Sequence, residues 1–272
     1  MTEPFEPQPR QLILTVFGLY ARAEANWLSV SSVVRLMADL GVDSAAVRSS
    51  ISRLKRRDIL LGVRRDGVAG YTLSDGALEL LLEGDRRIFD RRRGTLADGW
   101  LLLVFSVPES ERDQRHLLRT ELVRLGFGTT TSGVWIAPRH LEDETRHALR
   151  RLGLSGYVEL FHAEHLAFGS LADKVGQWWD LPAMRARYTE FAARYRPLRR
   201  RWANRPPAGA AAFAAHVELL TAWRRLPYLD PGLPLELLPA RWPGLGAAEL
   251  FAELDELLRP AAAEHVRAVL DS

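Results

Sequence analysis

Within the first 75 positions the apolar residues change their spacing once, and that change narrows the fold more than any other feature of the chain. Up to about residue 58 they recur every three or four positions, the period of a helix face. Leu12, Val16, Leu19 and Tyr20 form one such stripe over 10–23, and Val33, Val34 and Met37 form a second behind a capping serine, Ser29. Gly41 supplies the left-handed position that ends the second helix. Asp43 or Ser44 then caps a third, running to about Asp58, with Val47, Ile51 and Leu54 on its inner side. Beyond it the pattern becomes two short apolar runs, 60–63 and 68–73, separated by Arg64-Arg65-Asp66-Gly67. Asp-Gly between two such runs favours a tight hairpin turn. Helix, helix, tight turn, helix and hairpin, in that order, predict a winged helix-turn-helix.

The rest of the chain follows in two further stretches, as expected for 272 residues. An amphipathic connector helix is predicted over 75–93, ending in Arg91-Arg92-Arg93. From Trp100 the pattern reads strand (101–107), helix (109–125), strand pair (127–136), helix (140–152) and strand (157–163). This β-α-β-β-α-β order predicts a ferredoxin-like sandwich. After Leu171 helices are expected over 182–202, 210–226 and 247–270, with a proline-rich turn segment at 227–243. The expected class is therefore α+β with three domains: 1–93, a winged helix-turn-helix with its connector; 94–175, ferredoxin-like; and 176–272, helical.

Charge is distributed unevenly. The net charge of the chain is +3, yet residues 44–65 hold seven basic side chains against Asp58 alone, so the remainder is slightly acidic. A basic segment is the electrostatic footprint of a polyanion partner, although a solvated helix face produces the same count. The helical wheel separates the two. Ser49, Ser52, Arg53 and Arg56 lie opposite the apolar side of the third helix, with no acid among them. Arginine can donate bidentately to guanine, and serine can reach bases or phosphates. Arg48 and Arg57 sit at the flanks where phosphates run, and Arg64 and Arg65 at the wing tip reach the backbone or minor groove. Double-stranded DNA is the expected partner.

Several segments carry a family resemblance. The opening Pro9-Arg10-Gln11-Leu12-Ile13-Leu14-Thr15-Val16-Phe17-Gly18, the helix Val47-Arg48-Ser49-Ser50-Ile51-Ser52-Arg53-Leu54, and above all Asp230-Pro231-Gly232-Leu233-Pro234-Leu235-Glu236-Leu237-Leu238-Pro239 with Trp242-Pro243-Gly244 are similar to the PaaX-type regulators. The likeness spans roughly residues 9 to 265. It implies a homodimeric repressor of an aromatic acid (phenylacetate-type) catabolic operon, with the central domain in dimerisation. It also implies release from a partly palindromic operator by an aryl-CoA thioester, phenylacetyl-CoA in the best-known members. Trp178, Trp179 and Trp202 could then form an aromatic pocket, with Arg199 and Arg200 holding phosphates of that effector; core packing and a solvated face account for the same residues.

Rival chemistries find little support. There are no cysteines, which removes disulfides and thiolate sites and fits a reducing cytoplasm. The polar N-terminus lacks a signal-peptide pattern, and no apolar run of about 18 residues suggests a membrane span. A cytoplasmic protein, nucleoid-associated when bound to DNA, is expected, with no cofactor and no metal. His162 and His165 beside Glu159 have zinc-like spacing, but no third ligand is evident and surface histidines explain them. The central stretch also resembles the small nuclease subunit of CRISPR spacer acquisition. However, Phe105-Ser106-Val107-Pro108 carries no metal-binding carboxylate at the end of the first strand. Gly126-Phe127-Gly128 reads as a turn, and neither a nucleophile elbow nor a P-loop occurs. The chain is expected not to be an enzyme. The alternatives are an acyl-CoA- or nucleic-acid-acting enzyme, or an adaptor whose winged helix contacts protein.

Overall fold

The computed structural model describes residues 7–166 and 168–272; the first six residues, part of the N-terminus read above, lie outside the described residues. Helices and two antiparallel sheets make up the chain, as expected for an α+β protein. They form two compact units. One takes the chain up to Asp85 together with 190–224 and 246–272; the other takes 86–189 and 225–245. These units cut across the 1–93, 94–175 and 176–272 segments expected from sequence.

In the first unit α1 (Pro9–Val16) continues through a wider helical turn to Ala21, followed by α2 (Val30–Asp39) and α3 (Ser44–Arg56). Ser29 Oγ accepts the Ser32 N–H at 2.9 Å and so starts α2, and Gly41, at φ 74°, takes the left-handed position after it. Strands β2 (Leu60–Arg65) and β3 (Val68–Leu73) form the hairpin, in the register Leu60↔Leu73 to Arg65↔Val68. A third strand, β1 (Trp27–Ser29), pairs with β3; it was not expected, because three residues are too few to display a period. Ile13, Phe17, Leu36, Met37, Val47, Leu28 and Leu60 are buried in one core.

Phe213 and Val217 of α9 (Gly209–Trp223) and Ala262 and Val266 of α11 (Gly244–Leu270) belong to that same core. The reason lies in α9, which buries side chains nearly all round, from Ala212 and Phe213 to Leu220 and Trp223. A helix apolar on every side needs neighbours on every side. Its polar residues are paired within this core: Thr15 Oγ1 lies 2.8 Å from Thr221 Oγ1, and the Tyr20 hydroxyl lies 2.7 Å from His216 Nδ1. Burial, reinforced by Asp255, pushes the Tyr20 phenol well above its ordinary value, so it keeps its proton. With Tyr20 donating to Nδ1, His216 Nε2–H donates to Asp255 Oδ1 at 2.8 Å. Arg259 also pairs with Asp255. Burial alone would raise the Asp255 carboxyl, but His216 and Arg259 outweigh it and hold it below the ordinary carboxylate value.

The second unit is built on a four-stranded antiparallel sheet in the order β5-β6-β4-β7, from β4 (Trp100–Phe105), β5 (Gly128–Thr131), β6 (Val134–Pro138) and β7 (Val158–Ala163). Helices α5 (Arg112–Leu125) and α6 (Glu142–Arg151) pack Leu118, Leu122, Ala148 and Leu149 against Leu101, Leu103, Trp135 and Ala137. Helix α7 (Leu171–Trp178), the start of α8 (Leu181–Asn204) and the segment around α10 (Leu226–Leu229) complete it. Helix α4 (Asp75–Ile88) stops five residues short of its expected end at 93. Arg91 and Arg93 are drawn instead to the buried Asp230, at 2.6 and 3.1 Å, and the Gly94 N–H donates to Gly232 O at 2.8 Å. Asp230 also accepts from the Tyr188 hydroxyl at 3.1 Å and the Gly232 N–H at 3.0 Å. Burial opposes its charge, but Arg91 and Arg93 prevail and keep its carboxyl below the ordinary range. The proline-rich segment is therefore tethered, with Leu233 buried and Gly232, at φ 80°, where a Cβ would strike the Arg92 carbonyl.

Replacing His216 by leucine leaves the Tyr20 hydroxyl without its partner and Asp255 with Arg259 alone. The expected loss is about 2–4 kcal/mol of unfolding free energy near neutral pH, read from urea denaturation. Because the Asp255 carboxyl is depressed in the folded protein, the stability it contributes is present above its unfolded value and lost as pH falls through the folded one. The difference between variant and wild type should accordingly shrink in acid; a constant difference across pH would contradict this pairing.

Candidate nucleic-acid interface

Helix α3 is set by its cap and by three buried side chains. Asp43 Oδ1 accepts the N–H groups of Ala45 and Ala46, both at 2.9 Å, which fixes the first turn. Val47, Ile51 and Leu54 are buried. At about 100° per residue this turns Ser49, Ser52, Arg53 and Arg56 outward, and all four are exposed, as are Arg48 and Arg57. Arg53 reaches Ser49 Oγ at 3.4 Å. Among the described residues no carboxylate pairs with Arg48, Arg53, Arg56 or Arg57, so their charge is available to a polyanion.

The hairpin carries Arg64 and Arg65 differently. Asp66 and Gly67 have φ of 49° and 82°, the two left-handed positions of a type I′ turn. Arg64 folds back onto that turn, donating to Gly67 O at 2.9 Å. Arg65 is held more firmly: its guanidinium lies 5.5 Å from the centre of the Trp27 ring, and Nη2 donates to Ala25 O at 2.9 Å. Trp27 Nε1 in turn donates to Val63 O at 3.4 Å. The indole lies flat on the hairpin because residue 70 is glycine, where any Cβ would overlap the ring. Sequence reasoning missed Trp27 and Gly70; an isolated glycine inside a strand was the available signal. The outer side of this hairpin is apolar, with Leu61, Val63 and Val68 exposed.

The residues suggested for an effector fall in different units. Trp178 and Trp179 belong to the second, where their rings lie 6.0 and 5.9 Å from that of Trp100. Trp179 is buried and donates to Gly126 O at 2.9 Å, while Trp178 is half-buried. Arg199, Arg200 and Trp202 belong to the first, where Arg199 pairs with Glu253 at 2.7 Å, Arg200 is exposed and Trp202 is buried. The paired histidines diverge: His162 Nε2 lies 2.5 Å from Glu142 Oε2, and His165 lies edge-on to Trp178 at 6.3 Å. Among the described residues no group of three or more histidine or acidic side chains is placed to hold a metal, and no helix is long and apolar enough to cross a membrane.

Three family models match this chain in succession: PaaX-like protein over residues 8–77, PaaX protein central Cas2-like domain over 93–175, and PaaX-like protein C-terminal domain over 179–268. The chain is 28% identical over 261 residues to the transcriptional repressor PaaX of Escherichia coli (strain K12), covering 92% of this chain and 80% of that protein. Among solved structures it is similar to the uncharacterized protein Rv0674 from Mycobacterium tuberculosis, with a TM-score of 0.58 at 25% identity, covering 93% of this chain and 96% of that one.

Trp27 and Gly70 give this surface a direct test. Gly70→Ala should force the indole off the hairpin and cost about 1–3 kcal/mol, the usual penalty of overpacking. Thermal melts would read it; an unchanged transition would show that Trp27 does not need the close approach.

Proposed function

The chain belongs to the PaaX family, and from that premise we propose that it is a DNA-binding transcriptional repressor whose N-terminal region acts as a winged helix-turn-helix. The observation that carries this reading is the outward side of α3, where serines and arginines are exposed without a competing acid. On this reading Ser49, Ser52, Arg53 and Arg56 read base edges in the major groove while Arg48 and Arg57 contact phosphates. Arg64 and Arg65 hold the hairpin on the backbone as a wing. The central β-α-β-β-α-β unit is a ferredoxin-like module that mediates dimerisation, and the homodimer grips two operator half-sites one or more helical turns apart. The ligand that releases it is an aryl-CoA thioester, phenylacetyl-CoA or a relative, and the operon serves aromatic acid catabolism. Such a ligand acts by binding one arrangement of the protein better than the other. The protein is a regulator rather than an enzyme.

A gel shift on the protein's own promoter, across a salt series, tests the core of this proposal. Specific binding that weakens steeply with salt is expected. Arg53→Ala should relax sequence preference by about 1–3 kcal/mol at one base pair, whereas Arg64→Ala should weaken binding to all sequences and reduce the salt slope by about one. Footprints unchanged in both variants would overturn the assignment of α3 and the wing. Addition of phenylacetyl-CoA should release the fragment; retention would refute that effector and leave DNA binding standing.

A further inference from the structure

The four-stranded sheet of the second unit has two edges, and they differ. Strand β5 is short, holds three threonines and is broken by a bulge between Thr129 and Thr131. Short length and bulges keep an edge from pairing with another chain. At the other edge β7, Val158-Glu159-Leu160-Phe161-His162-Ala163, pairs with β4 along its whole length in unbroken register. It contains no lysine and no proline, the usual guards of an open edge. Among the described residues no strand lies beyond it.

The hydrogen-bond phase decides which backbone groups β7 leaves open. The Ser106 N–H donates to Tyr157 O at 3.0 Å, and the Phe105 N–H, turned the other way, donates to Gly133 O at 2.9 Å. Antiparallel pairing alternates from there, so Glu159, Phe161 and Ala163 bond towards β4 while Val158, Leu160 and His162 present N–H and C=O outwards. Among the described residues no hydrogen bond outside the sheet takes up those outward groups. The side chains alternate as well. Val158 and Leu160 pack against the core under α5 and α6, whereas Glu159 and Phe161 stand on the opposite side of the sheet. Phe161 is 49% exposed there, and Leu102 and Val104 beside it on β4 are only half-buried.

We propose that β7 is the seam of the dimer, pairing antiparallel with β7 of a second copy about a two-fold axis at Leu160. The inference rests on the dimer reading above. This register uses every outward group: Leu160 exchanges N–H and C=O with Leu160 of the second copy, and Val158 does so with His162 of the second copy. The contact is isologous and closes on itself. The joined sheet then ends on both sides at the bulged β5, so no open edge remains. Across the seam Glu159 faces Phe161 of the second copy.

Sedimentation velocity on the full chain without DNA tests this, and the wild type should be dimeric. Glu159 and Phe161 are both exposed in the single chain, so substitutions there spare its core. Phe161→Glu sets a carboxylate against Glu159 of the other copy on each side of the axis, and should weaken association about tenfold. The double variant Glu159→Lys, Phe161→Glu turns each repulsive pair into an attractive one and should recover most of that loss. A wild type that stays monomeric up to about 100 µM overturns the proposal and the dimer reading with it. A dimer indifferent to Phe161→Glu overturns the seam, as does a loss that Glu159→Lys fails to recover. A gel shift on the protein's own promoter separates the two readings. A dimer that obeys these variants but binds no DNA refutes only the repressor; one that binds its promoter and ignores them refutes only the β7 seam.

Discussion

The inward packing of α3 is the constraint on which the candidate interface depends. Val47, Ile51 and Leu54 are buried, and the helical rotation then leaves no freedom over where Ser49, Ser52, Arg53 and Arg56 point. Turning the helix by one position would carry a charged or hydroxyl side chain into the core, where an unpaired polar group costs several kcal/mol. The arginines therefore face solvent because the apolar residues must not. The core that holds them is not made by the N-terminal region alone: Phe213, Val217, Ala262 and Val266 close it.

Two buried carboxylates show how the polar residues of each unit are accommodated. Asp255 meets His216 and Arg259, and through His216 the Tyr20 hydroxyl. Asp230 meets two arginines, a tyrosine and a backbone N–H. In both cases the partners outweigh the cost of burial, and the carboxyl stays charged. The Asp230 cluster also explains the ordered course of a proline-rich segment that has little regular structure of its own. Prolines limit its conformations, but the ion pairs with Arg91 and Arg93 hold it in place.

Much of the candidate interface was legible in the residues. The change of apolar period, Ser29, Gly41, Asp43 and Asp66-Gly67 all act within a few positions of themselves, and each does in the structure what its chemistry implies. Trp27 against Arg65 was not legible, because Ala25, Val63, Arg65 and Gly70 are brought together only by strand pairing. The end of α4 was misplaced for a related reason: Arg91-Arg92-Arg93 continues a helix locally, and Asp230, far along the chain, redirects it. The tryptophans and arginines grouped by composition into one effector pocket divide between the units.

By itself, the sequence determined where helices and strands begin, which side of each is apolar, and that a block of positive charge lies on the outer side of one helix. Those properties follow from hydrogen bonds and side-chain spacing over a few residues. Tertiary structure alone decided which helices share a core and which arginines are spent on buried acids. Those outcomes depend on partners many residues away, whose approach is set by packing and by the cost of leaving a buried charge alone.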